Sequence, residues 1–333
     1  MNRAPTLEDV ARVAGVSRAT ASRVVRGDAN VLPDRATAVR QAIDALGYVP
    51  NSAARSLVTR STGAVALIVP EPDTRVFTDP FFGTAVAAIG ERLAGAGKQL
   101  ILVLSGSDTQ GDRLERFIRG GHADGLLVMS HHEGGPSLQV LPHATVPVVY
   151  IGRPPTGTDS LFVDVDNVQG GRIAAERLLA RGRTRIATVT GPQDMGAAVD
   201  RLHGFLAALD EAGLRPVRIE HGDFSATSGE SAADRMLGDG VEVDAVFAAN
   251  DLMAIGALRR FTAAGRRVPE DIAIVGFDDI AISAEPINAL TTVVNPVSRL
   301  GSLGTSMLLD AIAGRAAEPL ILRDLELRER SSA

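Results

Sequence analysis

The chain has 333 residues, 45% hydrophobic and 22% charged, which at about 150 residues per domain predicts two or so globular units with a sizeable core. With no Cys there is no disulfide, Cys-ligated zinc or thiol nucleophile. No apolar run reaches the ~18 residues of a membrane span, and the start MNRAPTLEDVARVAG lacks the apolar stretch of a secretory signal, so a cytoplasmic location is expected. The net charge of −6 hides a split: residues 1–62 hold nine Arg against five acids (+4), and the rest hold 25 basic against 35 acidic residues (−10). A basic head on an acidic body predicts that the head alone meets a polyanion.

In the head, Thr6 caps a first helix, with Asp9 completing a capping box. Leu7, Val10, Ala11 and Ala14 recur at i, i+3, i+4 and i+7 and form one apolar face. Gly15 permits a tight turn with Val16 as a buried spacer. Ser17 then caps a helix over 18–25, with Ala21, Val24 and Val25 inward and Arg18, Ala19, Ser22 and Arg23 outward. Helix, Gly-containing turn and short polar-faced helix make a helix-turn-helix, whose second helix enters the DNA major groove. Small residues at 19–21 let its backbone approach base edges, and an Arg fork on guanine is worth ~1–3 kcal/mol of discrimination. A third helix runs from Pro33 to Leu46 and stops at Gly47. Leu32, just before it, cannot cap, and Asp34 offsets part of that cost. Residues 51–58 are too short and polar to be helical unless docked. Residues 59–63 read as a linker.

The run TLEDVARVAGVSRATASRVVRGDANV, followed by LGYVPNSAARSL, resembles the DNA-binding head and hinge of the lactose/galactose-repressor (LacI/GalR) family of bacterial transcription regulators. The resemblance continues through residues 63–330. It implies that Arg18, Ala19 and Arg23 read bases, and that Thr6, Ser17, Thr20, Ser22, Asn30, Tyr48 and Asn51 contact phosphate or sugar. It further implies a minor-groove hinge helix over 51–58, paired with its dimer mate. There Ala54 belongs to the DNA-contacting ARSL motif and Leu57 wedges into the central base step. An apolar wedge is mechanically sensible, because the bent duplex offers extra contacts in return for unstacking. Leu32 and Arg35-Ala36 depart from the family pattern, and Arg18-Ala19 does not translate into an operator sequence.

From residue 64 strands and helices alternate: strand 64–69, helix 82–96, strand 99–104, helix 111–119, and strands 125–129 and 146–151. A second series starts with strand 161–165 and continues through helix 167–181, strand 185–190, helix 198–213, strand 217–221, helix 227–238, strand 244–248, helix 251–264 and strand 272–276. A tail of strand 291–294, helix 296–313 and strand 321–327 crosses back. Short apolar strands between amphipathic helices mean parallel sheets covered on both faces, and about ten strands are too many for one sheet. The fold class is therefore α/β: an all-α helix-turn-helix head plus a two-lobed, periplasmic-binding-protein-like effector domain, the architecture the family implies. The expected division is 1–50 for the DNA-binding domain, 51–62 for hinge and linker, and 63–333 for effector binding and dimerisation. The lobes fall near 63–161 with 291–320 and near 162–290 with 321–330.

Ligands of open α/β sheets sit at the carboxyl ends of strands. Those ends carry a Phe-rich loop (Phe77, Asp79, Phe81, Phe82), Gly152-Arg153, Gln193-Asp194 with Arg201 beyond, Phe224, Asn250-Asp251, Phe277-Asp278-Asp279 and Asn295. The family correspondence places effector contacts at Phe81, Phe82, Arg153, Arg201, Phe224, Asn250, Asp278 and Asn295. Planar forks bind vicinal hydroxyls and aromatic faces stack on a sugar ring, which favours a carbohydrate. Asn250 also suits the cap of helix 251–264.

No phosphate-binding, zinc-protease, serine-hydrolase or dinucleotide motif occurs. His131-His132-Glu133 reads as a solvated turn rather than a metal site. No cofactor, metal, membrane contact or enzymatic activity is expected, and without a heptad tail a homodimer is expected. The sequence thus predicts a nucleoid-associated repressor whose affinity for a pseudo-palindromic operator is set by a small effector. The alternatives are a carbohydrate-binding protein with no DNA role and an α/β enzyme using Asp278 or Asp194 as base.

Overall fold

The computed structural model describes residues 5–25, 27–28, 30–49, 61–106, 111–238 and 240–333, divided into two units, residues 1–62 and 63–333. The first unit is built of α1 (Leu7–Val13), α2 (Arg18–Val25) and α3 (Pro33–Leu46). The capping box forms as expected: Thr6 Oγ1 accepts the Asp9 N–H, and the Thr6 N–H donates back to Asp9 Oδ2 at 2.9 Å. Ser17 Oγ accepts the Thr20 N–H at 3.2 Å, as a cap for α2 should. The turn glycines Gly15 and Gly47 have φ of 63° and 59°, a region that costs glycine nothing. Leu32 makes no side-chain cap bond. Val10, Ala11, Ala21, Val39 and Ala42 are buried together, with Leu7, Ile43, Leu46 and Tyr48 packed around them. Val16 is half-buried rather than fully enclosed.

The second unit holds two six-stranded sheets, one per lobe. Lobe one contains β1 (Ala64–Val69), α4 (Asp73–Thr78), α5 (Pro80–Gly95), β2 (Gln99–Leu104), α6 (Gly111–Arg119), β3 (Leu126–Met129), α7 (Pro136–Val140), β4 (Val148–Ile151) and β5 (Leu161–Val165). Lobe two contains α8 (Asn167–Ala180), β6 (Ile186–Thr190), α9 (Gly196–Glu211), β7 (Arg218–His221), α10 (Ala226–Gly238), β8 (Ala245–Ala248), α11 (Asp251–Ala263), β9 (Ala273–Asp278) and β10 (Thr291–Val294). Then α12 (Val297–Ile312) and β11 (Leu320–Leu322) return to lobe one, and β12 (Leu327–Arg328) ends in lobe two. The strand orders are β11-β5-β4-β3-β1-β2 and β12-β10-β9-β8-β6-β7. Described pairs are parallel except β10 with β12. All six residues of β1 are buried, with Val65, Leu67 and Val69 in one core and Ala66 and Ile68 in the other. That double burial is why such strands read as unbroken apolar runs.

The lobe partition differs from the sequence expectation at three places. Strand 161–165 was expected to open lobe two but joins lobe one, pairing with β4. The crossing falls after it because α8 is bound to α9 by backbone contact. A Cβ on Gly171 would lie 2.0 Å from the Arg201 carbonyl oxygen, and one on Gly204 would lie 1.8 Å from that of Val168. Strand 291–294 was expected in lobe one but pairs with β9 in lobe two, where Thr292 Oγ1 donates to buried Asp251. The expected tail strand 321–327 divides into β11 and β12, one in each sheet. The Phe-rich loop is also largely helical: Pro72 precedes α4, and Asp79 caps α5 two residues earlier than expected. Among the described residues no helix is long and apolar enough to cross a membrane.

Candidate functional site

In the head, α2 leaves Arg18, Ala19 and Arg23 exposed, while Thr20 and Ser22 are half-buried. Arg18 Nε lies 3.1 Å from Glu8 Oε1, and both side chains are largely exposed. Such surface pairs are worth about 0–1 kcal/mol, so the guanidinium is cheaply available to another partner. The Ser17 and Thr20 hydroxyls bond each other at 2.9 Å. Thr6 is committed to its capping box, where the Thr6 hydroxyl and N–H and then Arg12 hold the Asp9 carboxyl well below its ordinary range. Asn30 is exposed, with its N–H donated to Asp28, and Tyr48 is half-buried against the helices. Asn51, Ala54 and Leu57 lie outside the described residues.

In the second unit the strand-end rule brings the dispersed residues together. Phe81, Phe82, Arg153, Arg201, Phe224, Asn250, Asp278 and Asn295 all line one cavity between the lobes, of about 100 Å³. Asp79 starts α5 by accepting the Phe81 N–H at 3.0 Å, which sets Phe81 and Phe82 edge-to-face at 5.3 Å. Arg201 is the buried fork: Nε donates to Asn167 Oδ1 at 2.9 Å, Nη1 donates to the Ala249 carbonyl at 2.6 Å, and the guanidinium lies 3.5 Å over the Phe277 ring. Its Nη2 is 3.7 Å from Asp278 Oδ1. Burial lowers the Arg201 pKa and raises that of Asp278, with the two charges opposing that effect in each other. Asp278 has φ of 112° and accepts from Asn295 Nδ2 at 3.0 Å. Asn295 Oδ1 is buried with no hydrogen-bond partner.

Asn250 works differently from its neighbours. Its Oδ1 accepts the Met253 N–H and its Nδ2 donates to the Phe224 carbonyl at 2.9 Å. It therefore caps α11 and braces Phe224, whose φ is 68°, rather than offering a free fork. Arg153 reaches from lobe one to lobe two, with Nε 2.9 Å from Asp200 Oδ2.

The wall also holds polar residues that were not among the expected contacts, Arg75, Asp79, His131, Asp164 and Asn167 among them. Arg75 and Asp79 follow β1 in a segment that reads as loop. Asp164 and Asn167 flank the end of β5. Burial lifts the carboxyls of Asp79 and Asp164 to about 6 and pushes His131 down to about 4. The expected solvated turn at 131–133 is instead a cross-lobe tie. His131 is buried, and His132 Nδ1 is 2.9 Å from Asp194 Oδ2 while Nε2 is 3.3 Å from Glu71 Oε1. The Glu133 N–H also donates to the Asp194 carbonyl at 2.7 Å. Those carboxylates, Glu71 foremost, raise the His132 pKa. No group of three metal-ligating side chains converges among the described residues.

Residues 6–51 match the family model described as bacterial regulatory proteins, lacI family, and residues 175–333 match a periplasmic binding protein-like domain. The chain is 45% identical over 325 residues to the HTH-type transcriptional regulator CelR of Thermobifida fusca, covering 96% of this chain and 95% of that one. It superposes on a solved CelR–cellobiose complex with a TM-score of 0.78 at 42% identity, covering 99% of this chain and 100% of that one. It also superposes on the lac repressor dimer bound to operator and the anti-inducer ONPF with a TM-score of 0.89 at 29% identity, covering 99% of each. With a three-helix head whose second helix presents arginines, a two-lobed body around a polar cleft, and full-length similarity to these regulators, the chain belongs to the lacI family of bacterial regulatory proteins.

Proposed function

We propose that this protein is a transcriptional repressor that binds a pseudo-palindromic operator as a homodimer and releases or tightens its hold when a neutral carbohydrate occupies the cleft. Residues 1–50 read the duplex through Arg18, Ala19 and Arg23, steadied by phosphate contacts from Thr6, Ser17, Thr20, Ser22, Asn30 and Tyr48. Residues 51–62 act as the hinge and linker, with Asn51 on phosphate or sugar and Ala54 and Leu57 in the minor groove. Residues 63–333 hold the effector and the partner protomer. The protein acts as a regulator and not as an enzyme, in the bacterial cytoplasm. The basic helix-turn-helix favours this over a transport-linked solute-binding role.

The observation that carries the effector reading is the makeup of the cavity wall. Arg75, Arg153 and Arg201 are matched by Asp79, Asp164 and Asp278, and His131 is kept neutral by burial. A wall balanced in this way gives no net attraction to a phosphate, whereas its forks, its aromatic faces and the unpartnered Asn295 Oδ1 suit hydroxyls. Arg153 with Asp200 and His132 with Asp194 tie the lobes across the cleft, so an occupant that shifts the lobes acts on the whole second unit. The relative solved with cellobiose makes that disaccharide the first probe.

The test is fluorescence anisotropy on a duplex selected from random sequence, across a salt series and a panel of neutral sugars, sugar phosphates and nucleosides. We expect affinity to fall steeply with salt and a neutral sugar to change it about 5–150-fold, the usual range of allosteric coupling. Binding without sequence preference overturns the DNA reading. A response confined to phosphates or nucleosides overturns the carbohydrate reading.

A further inference from the structure

The second unit begins at Gly63, so this residue is where the chain leaves the body for the linker. It directly precedes β1, the strand that lies between β3 and β2 in the lobe-one sheet. Both neighbours reach over it. The Gly63 carbonyl accepts the Gln99 N–H, at the start of β2, at 2.9 Å. The Gly63 N–H donates to Oδ2 of Asp124, two residues ahead of β3, at 3.1 Å. The same oxygen accepts from Nζ of Lys98, just ahead of β2, at 2.7 Å. The Asp124 N–H in turn donates to the Ala64 carbonyl at 2.7 Å. Lys98 and Asp124 thus close a clasp across the start of β1, with side chains only 18% and 7% exposed.

The residue types suit this task. Of the chain's 34 lysine and arginine residues, Lys98 is the only lysine. An ammonium is a compact point charge that can share one carboxylate oxygen with a backbone N–H, whereas a guanidinium fork is built to engage both oxygens. Gly63 has φ of 72°, and a Cβ there would meet nothing within 4 Å. Its backbone conformation, rather than a lack of space, is therefore what calls for glycine. That conformation sets the direction of the outgoing chain, and the clasp holds it from both sides.

Building on the operator-binding reading above, we propose that Lys98 and Asp124 are positioning residues for DNA recognition: together they fix the heading at which the linker leaves the body. Operator recognition by a dimer depends on the spacing of its two heads. A loosened clasp lets that spacing wander, so the operator loses its advantage over other duplexes. Non-specific binding comes from the charge of each head and does not depend on the heading.

The test is fluorescence anisotropy of the whole chain and three variants, on a duplex selected from random sequence and on an unrelated duplex. Lys98→Met removes the ammonium and keeps an unbranched stem. Gly63→Ala strains the backbone turn without meeting a neighbour, and Gly63→Asn supplies a residue type that tolerates the turn. We expect the ratio of specific to non-specific affinity to fall about tenfold or more in Lys98→Met and Gly63→Ala, with non-specific affinity unchanged. Gly63→Asn should keep a ratio near that of the unaltered protein. Unchanged melting temperatures would show that the variants fold. An unchanged ratio in either Lys98→Met or Gly63→Ala, or a fall as large in Gly63→Asn, overturns the clasp and leaves the operator reading standing. So does an equal loss of specific and non-specific binding with a lowered melting temperature, which marks a purely structural pair. An unaltered protein that binds both duplexes alike overturns both.

Discussion

Asp79 combines two physical demands in one side chain. It starts α5 as an N-cap, and it is buried deeply enough that its carboxyl titrates near 6 rather than 3.8. A carboxyl whose folded-state pKa is raised adds stability that is fully present below its ordinary value and is lost as pH rises through about 6. Asp164 behaves likewise, and the raised pKa of His132 adds a contribution of the same sign at higher pH. These carboxyls lose their contribution between about pH 4 and pH 6, while His131, pushed down to about 4, gains one of opposite sign over the same range, so the carboxyl slope is read by comparing variants. Asn caps as well as Asp does but cannot ionise. Asp79→Asn should then flatten part of that slope and stabilise the protein at pH 7 by on the order of 2 kcal/mol. Calorimetry across the pH range checks this, and an unaltered slope would count against it. The strand-end rule pointed to the segments that line the cavity, and the family correspondence picked the eight residues among them that share its wall. Asn250 shows the limit of that rule, since the same residue type at the same place serves as cap and brace. Arg75 was invisible because its reach into the cleft depends on a helix of six residues, too short to leave a periodic trace.

At the scale of elements, caps and turns were readable wherever the chemistry is local. Thr6 with Asp9, Ser17, Gly15 and Gly47 all behave as short-range rules require. The weak point is the start of α3. Leu32 is 64% exposed and caps nothing, so its side chain contributes little packing to offset the unsatisfied helix N–H groups. Leu32→Ser should supply the missing acceptor and stabilise the head by about 1 kcal/mol. Chemical denaturation followed by helical circular dichroism measures it, and a loss of stability would mean that Leu32 makes a contact of its own. Membership of strands in sheets was less legible. The strand at 161–165 has the same apolar pattern as its neighbours in either lobe. What assigns it is the interlocking of α8 and α9 at Gly171 and Gly204, a long-range contact that no window of sequence reveals.

At the scale of the molecule, the chain passes between the lobes three times: after β5, after β10, and between β11 and β12. The passages are fastened to one another. The Asp166 N–H donates to the Leu322 carbonyl at 2.9 Å, and the Val294 N–H donates to the Glu326 carbonyl at 2.8 Å. Alternation of strands and helices gives the two sheets away in sequence, but not these joins, which need residues more than thirty positions apart to meet. If cleft and operator are coupled through such a body, thermodynamic linkage requires reciprocity. Whatever factor a bound sugar imposes on operator affinity, saturating operator duplex should impose on sugar affinity. Titrations of sugar with and without duplex compare the two, and unequal factors would show that the two ligands do not act through one shared equilibrium.

The crossing segments are also cleft wall: Asp164 and Asn167 flank the first, and Asn295 opens the second. Whatever the cleft holds therefore touches the segments that join the two lobes. Substitutions at Asn167 or Asn295 would alter those joins together with the wall, whereas wall residues on α4 and α5, such as Arg75 and Phe81, lie outside the crossing segments.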